Sequence, residues 1–276
     1  MGMKLGIVQL LVEGAEPGRN LERASKYIEK AVASKVDMIL LPETIDFGWT
    51  HPESLRNAEP IPGEYSQMFC DLAKKNSIWI CVGLTEKLND LNYNTAILIN
   101  RIGEIVLKHR KINLLEVEFP FYQIGNKIEV INTEFGTIGL NICADNYWGS
   151  KYLGESLAAM GANLILSPSS WTADHAVNEA DDPYEDKWIN PYLYLARNFN
   201  LIVASTTSVG YLVGGPYIGK KMMGNSLVVG PNGIIEQGVL NEFSSHLVLV
   251  DLQLSKSNLK GVQIGARLNK TNEQNR

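Results

Sequence analysis

The sequence predicts an α/β domain with helices packed outside its sheets, and three observations predict it. Short apolar runs alternate with amphipathic stretches of helical period along the chain. Two hairpin patterns, one mid-chain and one near the end, add antiparallel pairs to the helical crossovers. No Gly/Ser- or Pro-rich linker and no low-complexity stretch interrupts the 276 residues, so one layered domain is expected.

The elements follow in order. Residues 4–11 read as a buried strand. Residues 20–34 carry Leu21, Ala24, Tyr27, Ile28 and Ala31 on one helical face. Strands are expected at 36–41 and 78–84, with a helix at 66–76 between them. Residues 93–100 and 104–109 flank Arg101-Ile102-Gly103 as a hairpin. Strands at 127–131 and 137–142 precede a helix at 153–160. A strand at 163–167, a helix at 188–199 and a strand at 201–207 come next. Residues 226–229 and 234–236 flank Pro231-Asn232-Gly233, an Asn-Gly turn signal, and 246–252 is the last strand. The domain is expected to span 1–276, with a core of about 4–252 and a tail, 253–276, that turns polar after about Lys256. Such a tail either crosses to a partner subunit or is loose.

A content of 45% hydrophobic and 20% charged residues is ordinary for a soluble globular protein. The net charge of −5 and the scarcity of Lys/Arg clusters argue against a nucleic-acid partner. Cys70, Cys81 and Cys143 are odd in number, widely spaced and free of any CxxC pair, the pattern of a reducing compartment. The first strand begins almost at Met1, leaving no room for a signal peptide. No apolar run reaches the roughly 20 residues of a bilayer span. A cytoplasmic protein with no membrane partner is expected. His51, His109, His175 and His246 show no HxxxH or HxH spacing, and there is no GxSxG elbow. Metal catalysis is not expected, and the poverty in histidine favours a base of another kind.

Three segments each end in a chemically committed residue. Leu40-Leu41-Pro42-Glu43 delivers a carboxylate, His109-Arg110-Lys111 an amine, and Gly139-Leu140-Asn141-Ile142-Cys143 a thiol. Covalent attack on a carbon–nitrogen bond needs a base, an oxyanion stabiliser and a nucleophile. Cys143 follows a predicted strand, and a strand-to-helix turn exposes a nucleophile and can lower a thiol pKa. A buried free cysteine is also a common core residue, a description that suits Cys70 and Cys81 better. Glu43 beside apolar walls would be desolvated toward a useful base, although a turn glutamate would look the same. Spacing does not select Lys111 among four consecutive basic residues, nor Glu118 over Glu116.

Taken together and in this order, these segments resemble the nitrilase superfamily of carbon–nitrogen hydrolases. Pro42-Glu43 is followed by Phe47-Gly48-Trp49, like that family's glutamate segment. His109-Arg110-Lys111-Ile112-Asn113-Leu114 is similar to its lysine segment, with Asn113 in place of a histidine, and this resemblance singles out Lys111. Glu118, ahead of Phe119, Phe121, Tyr122 and Gly125, matches its second glutamate, and Gly139 to Asp145 its cysteine segment. Pro168-Ser169-Ser170-Trp171, Ala196-Arg197-Asn198, Gly224-Asn225-Ser226 and Pro231-Asn232-Gly233 extend the similarity over about residues 4–252.

The resemblance implies a four-layer α-β-β-α sandwich and subunits paired as a homodimer or a larger even homo-oligomer. It implies Cys143 as nucleophile, Glu43 as base, and an oxyanion held by Lys111 and the Ala144 N–H, with Glu118 fixing Lys111. Phe47, Trp49, Tyr147, Trp148 and Trp171 lie near these segments and are candidates to bind a small-molecule substrate. Ordinary packing would equally account for each of them. The acidic stretch at 178–186 reads as a solvated loop that would disfavour anionic substrates. The expected reaction is hydrolysis of a small amide or N-carbamoyl compound through a Cys thioester. Family nitrilases carry Trp-Glu after the cysteine, where this chain has Ala144-Asp145, so nitrile hydrolysis is the lesser alternative. A thioester-dependent N-acyltransferase and a silent binding member are the others.

Overall fold

The computed structural model describes residues 2–173, 185–239, 243–255 and Gly261. The first half of the chain contains β1 (Gly2–Leu11), α1 (Pro17–Ala33), β2 (Met38–Leu40), α2 (Ser54–Asn57), α3 (Glu64–Asn76), β3 (Trp79–Leu88), β4 (Leu91–Ile99) and β5 (Ile105–Arg110). The second half contains β6 (Val130–Thr133), β7 (Gly136–Leu140), α4 (Lys151–Ala159), β8 (Leu164–Ser169), β9 (Thr172–Ala173), α5 (Asn190–Phe199) and β10 (Ile202–Tyr211). It closes with β11 (Lys221–Met223), β12 (Leu227–Gly230), β13 (Gly233–Gln237) and β14 (His246–Gln253).

Two half-sheets result. In the first, β1 pairs in parallel with β2 and antiparallel with β14, from Gly2↔Gln253 to Gln9↔His246. Beyond β2 come β3, β4 and β5 in that order. In the second, β6-β7-β8-β10 continue into β12 and β13. Among the described residues the strand ladders of the two halves meet at the end of β1 and β10, at Leu10↔Ser208 and Leu11↔Val209.

Period-two alternation builds the layers. Leu5 and Ile7, Met38 and Leu40, Cys81, and Ala96 and Leu98 face one core, which they share with Leu140, Leu164, Leu166 and Val203 of the second half-sheet. Their neighbours Val8 and Leu10, Ile39, Ile80 and Val82, and Ile97 and Ile99 face a second core with Leu21, Ala24 and Ile28 of α1 and Phe69 and Ala73 of α3. On the far side, Leu153 and Leu157 of α4 and Tyr192 and Leu195 of α5 close over the second half-sheet. Each such fully buried Leu or Ile contributes roughly 1.5–3 kcal/mol. The architecture is the α-β-β-α sandwich.

Several boundaries differ from expectation. The strand expected at 78–84 runs on to Leu88 and turns through Asn89, at φ 55°, into β4. The polar tip masks this hairpin in the sequence. The strand expected to reach residue 142 stops at Leu140: the Asn141 N–H still donates to Leu166 O at 3.3 Å, and the extended Ile142 leads into a short helical turn that opens at Cys143. The short α2, β9 and β11 carry too few residues for a periodic signal. The acidic stretch up to residue 184, and the tail beyond 255 apart from Gly261, lie outside the described residues. Among the described residues no helix is long and apolar enough to cross a membrane.

Candidate active site

Glu43 stands three residues past the end of β2, where the chain stays clamped to β3. Leu41 N–H donates to Cys81 O, Gly83 N–H to Pro42 O, and Ile45 N–H to Gly83 O. A Cβ at Gly83 would lie 2.4 Å from Glu43 Cα, so a glycine is what lets β3 approach this closely. Thr44 then adopts φ 45°, a rare conformation for a β-branched residue and the kind of strain that gathers at functional sites.

Lys111 is the first residue past β5, and the alternation of that strand sorts the basic run. Lys108 Nζ pairs with Glu86 Oε1 at 2.7 Å, and the Arg110 guanidinium holds both Glu86 oxygens at 2.7 and 2.8 Å. His109 and Lys111 point the other way, into the interior, and both are buried. The Lys111 ammonium stands 2.8 Å from Glu118 Oε1 and 3.6 Å from Glu43 Oε2, and all three side chains are buried.

Glu118 ends a short helical turn, Glu116–Glu118, and is buried where Glu116 is exposed. Its Oε1 also accepts from Trp49 Nε1 at 2.8 Å, and its Oε2 from the Leu115 N–H at 2.8 Å. Three N–H donors thus fix Glu118 against the ammonium.

Cys143 opens the helical turn Cys143–Asn146 at φ 47° and is 2% exposed. Asp145 staples this turn to the lysine segment. Its Oδ2 meets His109 Nε2 at 2.8 Å and the Ile142 N–H at 3.0 Å. Its Oδ1 accepts from the Asn113 N–H at 2.8 Å and Asn113 Nδ2 at 2.9 Å. The Asn141 and Asn146 amides bond reciprocally beneath it, and Asn146 Nδ2 reaches Ser167 Oγ at 2.9 Å. The first N–H groups of a helical turn lack partners within it, and Ala144 is the second residue of this one.

Mutual electrostatics tie the groups together. Burial raises the Glu43 carboxyl to about 7, against the opposing pull of Lys111 and of hydrogen bonding from Asn94 and Cys143. Burial pulls the Lys111 ammonium down, but Glu118 and Glu43 outweigh it and hold the group charged. Burial and then the Glu43 charge push the Cys143 thiol well above its ordinary value, which Lys111 only partly offsets. The turn therefore does not yield the lowered thiol pKa that a strand-to-helix corner suggests: two carboxylates and a dry setting prevail. The site thus sets a thiol held in its neutral form beside a carboxyl that titrates near neutrality.

The aromatic candidates separate. Tyr147 lies edge-on to Trp188, ring centroids 4.7 Å apart, and its phenol, raised first by burial, is near enough to feel the charges of Lys111 and Glu43. Trp171 stacks on Trp188 at 4.4 Å, making an aromatic wall after Ser169 and Ser170. Trp49 braces Glu118 and packs on Tyr217 at 5.6 Å. Phe47 is buried against Tyr65 at 6.1 Å. Trp148 is 43% exposed and lies on the outside against Tyr194, away from the buried carboxylates. Trp188, Asn94 and the stapling role of Asp145 escaped the sequence reading, because each depends on cross-strand neighbours. Among the described residues no group of three His, Cys, Asp or Glu is arranged to hold a metal ion.

Comparison with known proteins places the chain among carbon-nitrogen hydrolases. The family model described as carbon-nitrogen hydrolase matches residues 4–259. The chain is 36% identical over 172 residues to the deaminated glutathione amidase of Dictyostelium discoideum, covering 55% of this chain and 58% of that protein. It is 31% identical over 179 residues to a nitrilase of Pyrococcus abyssi, covering 63% and 67% of the two chains. Against the omega-amidase NIT3 of Saccharomyces cerevisiae it is 29% identical over 187 residues, covering 61% and 64%. The match thus spans less than two thirds of the amidase from Dictyostelium and of the yeast protein. In fold it is similar to a double mutant of the amidase from Nesterenkonia sp. AN1 in complex with acrylamide, with TM-score 0.79, 19% identity, and 98% and 96% of the chains covered. It is also similar to a carbon-nitrogen hydrolase from Helicobacter pylori G27, with TM-score 0.78, 22% identity, and 91% and 88% covered. With that model matched from Lys4 almost to the end of the chain, this protein belongs to the carbon-nitrogen hydrolase family.

Proposed function

We propose that this protein is a cofactor-free amidase that cleaves a small carboxamide, N-carbamoyl compound or ω-amide through a thioester on Cys143. One observation carries the reading: a wholly buried ammonium, Lys111, 2.8 Å from one carboxylate and 3.6 Å from a second, beside a cysteine in a strained turn. The amidase and omega-amidase names among its relatives support the amide class.

In the proposed reaction Glu43 takes the Cys143 proton as Sγ bonds to the amide carbon. The carbonyl π pair becomes an oxyanion, held by the Lys111 ammonium and the Ala144 N–H. Glu43 returns that proton to the nitrogen, the C–N bond breaks, and ammonia or an amine leaves. Glu43 then deprotonates a water that attacks the thioester. Collapse of the second tetrahedral intermediate breaks the C–S bond, and the thiolate recovers its proton from Glu43. Tyr147 and Trp171 would flank the acyl group. The same proposal takes the protein to be cytoplasmic, one domain over 1–276, and a homodimer or larger even homo-oligomer.

The test presents one acyl skeleton as both primary amide and nitrile, so that pocket fit does not confound the chemistry. Ammonia release with the higher kcat/KM for the amide is expected. A higher value for the nitrile would replace the amidase reading with a nitrilase.

A further inference from the structure

We infer that Asn94 is a positioning residue that dictates which oxygen of Glu43 receives the proton from Cys143. The inference rests on the proposed role of Glu43 as base. Asn94 lies on β4, opposite Thr85 of β3, and is wholly buried. Its Nδ2 donates to Glu43 Oε2 at 2.6 Å. Its backbone carbonyl accepts the Lys111 N–H at 2.8 Å, continuing the β4–β5 ladder one step past Arg110. One residue therefore fixes the side chain of the base and the backbone of the ammonium carrier.

The consequence is an asymmetric carboxylate. Oε2 has the Asn94 amide at 2.6 Å and the Lys111 ammonium at 3.6 Å. Oε1 is buried and has no nitrogen or oxygen donor among the described residues. Donors drain basicity from the oxygen they touch, so the proton goes to Oε1. The amide cannot serve in the flipped orientation, which would set Asn94 Oδ1 against a carboxylate. In the orientation present, Oδ1 itself has no donor among the described residues. The charged or titratable groups that act on Glu43 or feel its charge are Lys111, Glu118, Cys143, Tyr122 and Tyr147, and Asn94 adds a neutral donor to them.

The test follows alkylation of Cys143 by iodoacetamide against pH, a readout that needs no substrate. Wild type, Glu43→Gln, Asn94→Leu and the isosteric Asn94→Asp are compared, with circular dichroism confirming the fold of each. Removing the donor favours protonated Glu43, so the acid limb in Asn94→Leu should move up by about half a pH unit or more, with a rate at pH 6.5 lower by about threefold or more. Asn94→Asp places a like charge against Glu43 and should shift the limb further in the same direction. If both Asn94 variants keep the wild-type limb while Glu43→Gln loses it, the assignment of Asn94 is overturned and Glu43 survives as the base. If Glu43→Gln itself leaves the profile unchanged, the base reading fails and takes this inference with it.

Discussion

The Lys111 ammonium donates to Glu118 Oε1 at 2.8 Å, and neither side chain is exposed. An ammonium in such a place stays charged only because carboxylates compensate it. Glu118 spends both oxygens on this task and on Trp49 and Leu115. Glu118→Ala is therefore expected to cost roughly 3–5 kcal/mol of stability, as breaking a buried pair does, and to abolish turnover. Urea unfolding measures the first. A loss below about 1 kcal/mol would mean that Lys111 does not depend on Glu118.

Lys111→Ala should lower turnover on the order of 100-fold or more, as loss of an oxyanion donor does. Lys108→Ala should cost little, because Lys108 faces the other side of β5 and shares Glu86 with Arg110. Steady-state kinetics of the two variants decide this, and equal losses would contradict the division of the basic run.

Glu43, raised to about 7 by burial, must be ionised to act as base. The amide kcat/KM should therefore rise with pH through about 7 and level off above it. In Glu43→Gln that limb should vanish along with most of the activity. A limb near 4.5, the ordinary glutamate value, would show that Glu43 is not desolvated in solution.

Asp46 offers a stability test that leaves the chemistry aside. Burial raises it to about 7, although the Thr85 and Phe47 N–H groups donate to it, and no cation pairs with it among the described residues. The folded state thus binds the proton more tightly than the unfolded state, whose value lies near 3.8. The contribution is complete below about pH 4 and is lost as the pH rises through about 7. Wild type should lose more Tm than Asp46→Asn between pH 5 and pH 8. Parallel curves for the two would refute the assignment.

How far the sequence reaches is visible residue by residue. Apolar runs make β1, β2 and β4 readable, and the order of the Pro42-Glu43, Arg110-Lys111 and Ile142-Cys143 segments locates the candidate triad. The sides of β5 were hidden, because a run of four cations has no polarity contrast to reveal its period. Asn94 was invisible, since only the cross-strand register sets it between Glu43 and Lys111. Tyr147 and Trp148 are adjacent, yet the turn sends one toward the site and the other outward. The raised thiol lies beyond a local turn argument, which cannot see the carboxylates that long-range folding places beside it.

The central claim is a covalent thioester on Cys143, and trapping it is the most direct measurement. A primary amide substrate is mixed with enzyme, acid-quenched within the steady state, and the protein is analysed by intact and peptide mass spectrometry. The account predicts an acyl adduct confined to the peptide bearing Cys143, absent from Cys143→Ala, with Cys70 and Cys81 unmodified. Turnover that persists in Cys143→Ala, or an adduct carried by another residue, would contradict it.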